Sequence, residues 1–362
     1  MRRAEHAANL LEVDARRICI IKPSALGDVV QTLPLLAAFR ERFPGAKLSW
    51  VINGALAELL EGHPHLDQVI HFDRRGAWAG WMRLLGDLRL QQFDLVFDLQ
   101  GLLRTAVMNW STRAALRVGL ESSREGAHLA CHTVIPDTGR LVPAHLRYWR
   151  VAEAIGMGHL RRQPVVALGD EHRSWVATQL HGATGATLAV HPGAGWLTKR
   201  WPVEKFAVVA AKAARRFGLS IVLVGSPGER ALSLQLENLI RRFAPPAQIV
   251  NLAGQTSLKQ LAALLQRSDA ILTNDSGPMH MAAAMGTPVV GVFTSTDPIR
   301  SGPPGSEHHL IPTRISCGGC YKKRCPYSGL KHLGCLEELT IERVWYALAN
   351  LLDRQLSSRP AA

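Results

Sequence analysis

Short, uninterrupted apolar runs separated by helix-length amphipathic segments constrain this chain more than anything else in it. Ile18–Lys22, Leu48–Ile52, Leu95–Asp98, Thr187–Val190, Ser220–Gly225, Ile249–Leu252, Ala270–Thr273 and Val289–Phe293 read as strands. Between them, Val29–Arg42, Trp78–Leu90, Val203–Phe217, Glu229–Phe243 and Leu258–Gln266 carry apolar residues at helical spacing. Strands without polar alternation are buried on both faces, which requires parallel sheets covered by helices. The pattern restarts near residue 185, after a polar helix around Asp170–Leu180. The expected fold is α/β: two Rossmann-like doubly wound domains, residues 1–169 and 170–337, facing a cleft. Residues 338–362 hold a last helix, Thr340–Leu352, expected to pack back toward the first domain. Ligands of such sheets bind at the carboxyl ends of the strands.

Composition narrows the partners. Apolar residues are 47% and charged residues 20% of the 362, which excludes a disordered chain. Lys plus Arg is 42 and Asp plus Glu 29, a net charge of +13. Such an excess suits an anionic partner: nucleic acid, a phosphorylated small molecule or an acidic membrane face. Nucleic acid would call for aromatic residues among the basic ones, and aromatics are only 6%. Residues 1–17 alternate charge and lack the apolar core of a secretory signal. The longest stretch without Asp, Glu, Lys or Arg, Ser276–Thr296, is broken by Pro278, Gly286 and Pro288, so it reads as helix, turn and strand rather than a membrane span. A cytoplasmic protein is expected.

Four strand-to-helix turns carry the candidate chemistry. Lys22-Pro-Ser24-Ala-Leu-Gly27-Asp28 follows the first strand. Asp28 there is either a helix N-cap or a general base at a strand end. His191-Pro-Gly-Ala-Gly195-Trp-Leu-Thr198-Lys199-Arg200-Trp201 offers one hydroxyl and two cations to phosphate oxygens, or is a solvated basic loop. Thr273-Asn-Asp275-Ser276-Gly277-Pro278-Met-His280 runs from a strand into a helix whose N-terminus is an anion site. Glu229, after Val224-Gly-Ser-Pro-Gly, favours a helix start or receives ribose hydroxyls. Trp78, Trp81, Leu84, Leu85 and Leu88 form a helical stripe that reads as core before it reads as a membrane face. Arg74 and Arg75 before it, with Arg104, Arg113, Arg117 and Arg124, suit an anionic acceptor. Cys317, Cys320, Cys325 and Cys335 (C-x2-C-x4-C-x9-C) are four thiols that suit a structural Zn²⁺, two disulfides, or none of these.

The motifs Lys22–Pro34, Asp98-Leu-Gln-Gly-Leu-Leu103, His191–Pro202 and Asn274–His280 occur in the order found in the bacterial ADP-heptose–lipopolysaccharide heptosyltransferases (glycosyltransferase family 9). The resemblance spans about residues 17–355. It implies a GT-B fold and an inverting transfer of heptose from ADP-heptose to the lipopolysaccharide inner core, with no metal required in the reaction. Asp28 resembles the family's general base, and Lys199 the lysine that neutralises the departing diphosphate. Thr198, Arg200, Glu229, Asp275, Ser276, Gly277 and His280 fall on its donor side; Ser24, Arg74, Arg75 and Arg124 on its acceptor side. The implied partners are ADP-heptose or a similar nucleotide sugar, a Kdo-lipid A type core acceptor and the anionic inner face of the inner membrane, with the protein peripheral to it. The alternatives are another nucleotide sugar or acceptor on the same fold, or a nucleotide-sugar epimerase. The cysteine segment has no catalytic task in this scheme; a structural clamp is expected of it.

Overall fold

The strands arrange themselves in the order that apolar burial dictates. In the computed structural model, which describes residues 9–74, 76–183 and 185–357, the chain divides into two units, Met1–Ala167 and Leu168–Ala362. The first holds β1 (Arg17–Ile21), β2 (Lys47–Asn53), β3 (Gln68–Phe72), β4 (Leu95–Asp98), β5 (Leu116–Leu120) and β6 (Thr133–Ile135). The second holds β7 (Thr187–His191), β8 (Ser220–Leu223), β9 (Ile249–Asn251), β10 (Ala270–Asn274), β11 (Val289–Phe293) and β12 (His309–Pro312). The first sheet runs β3-β2-β1-β4-β5-β6 and the second β12-β11-β10-β7-β8-β9, all pairs parallel. Numbered within each unit, both follow the doubly wound order 3-2-1-4-5-6.

The expected strands are all present, shifted by no more than two residues at an end. Four more, β3, β5, β6 and β12, carry no continuous apolar run. The expected single helix Val29–Arg42 is two, Leu26–Thr32 and Pro34–Arg42, because Pro34 begins a new helix at its first turn. The first of these starts at Leu26 with Ala25 as its N-cap, so Asp28 is a first-turn residue and not the cap.

Each core is built from its own helices. In the first unit Leu84 and Leu88 of helix Trp78–Leu90 are buried, with Trp81 and Leu85 packed against the same cluster, whereas Trp78 is 75% exposed. In the second unit helix Val203–Phe217 buries eight residues, five of them Ala, so it lies close to its sheet. The last helix, Ile341–Ser357, expected to pack back toward the first domain, instead gives its apolar face to the second unit, with Val344, Leu348, Leu351 and Leu352 in that same core.

Candidate active site

In the first unit the site forms where β1 ends. Lys22 follows the strand and is buried (2% exposed), an expensive place for an ammonium group unless it is paired. Its partner is Asp28, with Nζ 3.6 Å from Oδ2, and its Nζ also lies 5.0 Å from the centroid of the Tyr148 ring. Burial alone would lower the Lys22 pKa, but Asp28, Tyr148 and Asp98 outweigh it and hold the group above its usual value. Tyr148, on helix Ala144–Ala154, donates its hydroxyl to Asp28 Oδ1 at 3.0 Å. Burial, then the neighbouring Asp28, raises the Tyr148 pKa, so it stays a donor. The Asp28 side chain is 37% exposed, so it is held from inside by a cation and a hydroxyl and stays open to solvent.

The Asp98–Leu103 turn supports this cluster. Asp98 is buried, and burial raises its pKa to about 6 against the hydrogen bonds from Gly101 N–H, the Thr105 hydroxyl and Gln100 N–H. Gln100 Oε1 accepts from the Ser24 backbone N–H at 3.3 Å, joining the two motifs. Gly101 has φ +64°, and a Cβ there would lie 2.8 Å from the Ser123 backbone, so only glycine fits.

In the second unit three turns converge. Lys199 Nζ lies 2.7 Å from Asp275 Oδ2, with the two side chains 17% and 6% exposed, and 4.8 Å from the Trp196 ring centroid. Asp275 directly follows β10, and Ser276 is the N-cap of helix Gly277–Ala284. Ser276 makes no capping bond. Its hydroxyl instead meets His191 Nδ1 and Thr273 Oγ1, each at 3.1 Å. His191, buried at the end of β7, reaches Glu229 Oε2 with its other ring nitrogen at 3.4 Å.

Glu229 also accepts from the Ser226 backbone N–H and hydroxyl, both at 2.8 Å. Burial would raise its pKa, but His191 and Ser226 together lower it to about 2. Its Oε1 faces Gly193 so closely that a Cβ on that residue would overlap it.

The remaining expected residues are placed less uniformly. Thr198 is buried, and its hydroxyl donates to the Lys322 carbonyl at 2.7 Å while its own carbonyl accepts from Thr294 at 2.6 Å. Arg200 Nε donates to the Ala194 carbonyl at 2.8 Å, bracing the loop. Gly277 opens the helix, and His280 is buried in its first turn. Ser24 is half-buried beside Gln100, while Arg74 and Arg124 are exposed. Arg75 lies outside the described residues. Cys317, Cys320, Cys325 and Cys335 are free thiols lining one small cavity.

Two residues with evident roles were not singled out by the sequence. Tyr148 sits 120 positions from Asp28. Asn274 accepts from Trp201 N–H and donates to the carbonyls of Pro192 and Gly193, pinning the Lys199 loop to β10.

A carboxylate braced at one strand end, and a lysine–aspartate pair beside a helix N-terminus at another, have the chemistry to serve a group transfer with an anionic leaving group. Residues 81–331 match glycosyltransferase family 9 (heptosyltransferase), and the chain belongs to that family. It is 28% identical to the lipopolysaccharide core heptosyltransferase OpsX of Haemophilus influenzae, over 80% of this chain and 82% of that protein. It is also 28% identical to lipopolysaccharide heptosyltransferase 1 of Pseudomonas aeruginosa, over 86% and 88%. The crystal structure of the glycosyl transferase family 9 from Veillonella parvula shares the fold, with a TM-score of 0.79 at 24% identity, over 96% of this chain and all of that one. The chain is thus a glycosyltransferase with two Rossmann-like units, as the sequence motifs implied.

Proposed function

We propose that this glycosyltransferase transfers heptose from ADP-heptose to the inner core of lipopolysaccharide, with inversion at the anomeric carbon. The observation that carries the reading is the Asp28 carboxylate, held by Lys22 and Tyr148 and open to solvent at the end of β1. Asp28 takes the proton of the acceptor hydroxyl as that oxygen attacks the anomeric carbon. The leaving diphosphate gains negative charge as its bond to the sugar breaks. Lys199 and the N-terminus of helix Gly277–Ala284 meet that charge, a task a divalent cation serves in other transferases. Asp275 passes from its pairing with Lys199 to the sugar hydroxyls when the donor enters, and Glu229 Oε1 is the oxygen offered to the ribose. The names of the relatives, lipopolysaccharide heptosyltransferases, support the choice of sugar and acceptor.

The acceptor belongs at the anionic inner face of the inner membrane. The exposed Arg74, Arg83, Arg113 and Arg124 of the first unit, with exposed Trp78, support peripheral contact there. Among the described residues no helix is long and apolar enough to cross a membrane.

Asp28→Ala tests the reading. Transfer from ADP-heptose to a deacylated Kdo-lipid A type acceptor, followed by mass spectrometry, should disappear while ADP binding stays within about twofold. Near-normal turnover in that variant would remove Asp28 as the base.

A further inference from the structure

The segment that links β12 to the last helix has no core of its own. Between Pro312 and Gly334 no described side chain is buried, yet the chain follows a defined path with only one short helical turn, Gly329–Lys331. Loops this long without a core are uncommon in compact domains and are usually functional. At its start Thr313 N–H donates to the Phe293 carbonyl (2.8 Å), and the Tyr321 hydroxyl meets Asp297 N–H and Ser301; its middle adds three more contacts. Gly319 N–H donates to the Thr294 carbonyl (3.4 Å), Tyr321 N–H donates to the Ser295 carbonyl (2.7 Å), and the Lys322 carbonyl accepts from Thr198.

Its four cysteines, up to eighteen residues apart in sequence, all face one cavity of about 20 Å³. That is room for a single small sphere. All four are free thiols, and the Leu333 N–H donates to Cys325 Sγ at 3.3 Å.

We infer that Cys317, Cys320, Cys325 and Cys335 bind one tetrahedral Zn²⁺, which clamps residues 313–336 beneath the loop that carries Lys199. The donor set is the argument for the ion: four soft sulfur ligands with no histidine, carboxylate or open position make a closed structural site. Among the described residues no three His, Cys, Asp or Glu side chains are already drawn into metal-holding geometry. Neutral thiols have no cause to close on one another. On zinc binding, four Cys–SH and one Zn²⁺ give Zn(S–Cys)₄ with a net charge of −2 and release four protons to solvent. The surroundings suit that charge. Lys322, Lys323 and Arg324 lie within the cluster, and Lys331 lines the cavity itself. Where the sequence left two disulfides or four free thiols as alternatives, the placing of all four cysteines on one small cavity favours a single ion shared by them, a clamp that holds whichever sugar is transferred.

The test uses the full chain, purified under reducing conditions without added metal. Elemental analysis should find about one zinc per chain. A mercurial reagent should release it while titrating the cluster's four thiols, and cobalt substitution should give thiolate-to-cobalt charge-transfer absorption together with tetrahedral d–d bands. Cys131→Ser, outside the cluster, should keep the metal, whereas Cys320→Ser should lose at least about tenfold in zinc affinity. Should Cys320→Ser fail to fold, the wild-type metal content and cobalt spectrum decide alone. Zinc below a tenth of an equivalent, with the thiols either all titratable or joined as disulfides, overturns the inference, and stoichiometric iron in its place overturns the choice of ion.

Discussion

Replacing Lys199 with alanine separates binding from catalysis in the donor half of the site. The Nζ is 17% exposed and 2.7 Å from the Asp275 carboxylate, so its charge acts in a partly water-excluded place. Two unit charges about 4 Å apart interact by about 4 kcal/mol at an effective dielectric of 20. Only the charge that the diphosphate gains on departure counts toward the rate, because charge already present is felt equally in the bound donor. That added charge is roughly one unit. Spreading over several oxygens and residual solvent bring the effect to about 3–4 kcal/mol, the scale found when one preorganised donor is deleted from an oxyanion site. Lys199→Ala should therefore lower kcat by about 10²–10³-fold and change the dissociation constant of an unreactive ADP-heptose analogue by less than about tenfold.

Asp275 supplies the control. Losing Lys199 leaves that carboxylate unpaired at 6% exposure, which costs stability as well as activity. The double variant Lys199→Ala/Asp275→Asn should recover most of that stability, by chemical denaturation, without recovering turnover. Steady-state kinetics at saturating acceptor, with calorimetric titration of an unreactive ADP-heptose analogue, separates the two effects. A fall in kcat under about fivefold, or a loss that appears wholly in KM, would refute the role given to Lys199.

Two further outcomes follow from the neighbouring geometry. Tyr148→Phe removes the hydroxyl that Tyr148 donates to Asp28 and leaves the buried ring in place, so kcat/KM should fall about 10–100-fold, the cost of one hydrogen bond to a charged group of about 1.5–3 kcal/mol; an unchanged kcat/KM in a folded variant would show that the hydroxyl does not tune the base. Glu229, lowered from 4.5 to about 2 by His191 and Ser226, contributes stability that is fully present above pH 4.5 and is lost as the pH falls toward 2, so Glu229→Gln should be less stable than wild type by about 1–2 kcal/mol at pH 7 after solvent screening, with the gap closing over that window; urea midpoints that differ by the same amount at pH 7 and pH 3 would contradict this.

How far such a chain can be read before folding depends on where each residue sits in the sheets. β1, β2, β4, β7, β8, β10 and β11 are interior strands with nearly every side chain buried, and each stands out as an apolar run. The edge strands β3, β6 and β12 are only partly covered and mix polar with apolar residues; β5, next to an edge, opens on two half-covered residues. Period alone cannot pick such segments out of the loops around them. β9 is also an edge, but its run Ile249–Leu252 is apolar enough to be seen.

The site divides in the same way. Asp28, Lys199, Glu229 and Asp275 follow buried strands at turns into helices, positions that the doubly wound rule marks in advance. Tyr148 lies on the inner face of a helix, where a tyrosine beside Trp149 and Val151 looks like core until the fold sets it against Asp28. Thr198 shows the reverse. A hydroxyl beside Lys199 and Arg200 has the composition of a phosphate ligand, and no local pattern reveals that it donates to the Lys322 carbonyl, 124 residues away. That bond joins the donor loop to the cysteine segment. The Thr198 hydroxyl is thus a contact through which the cysteine segment reaches the backbone next to Lys199.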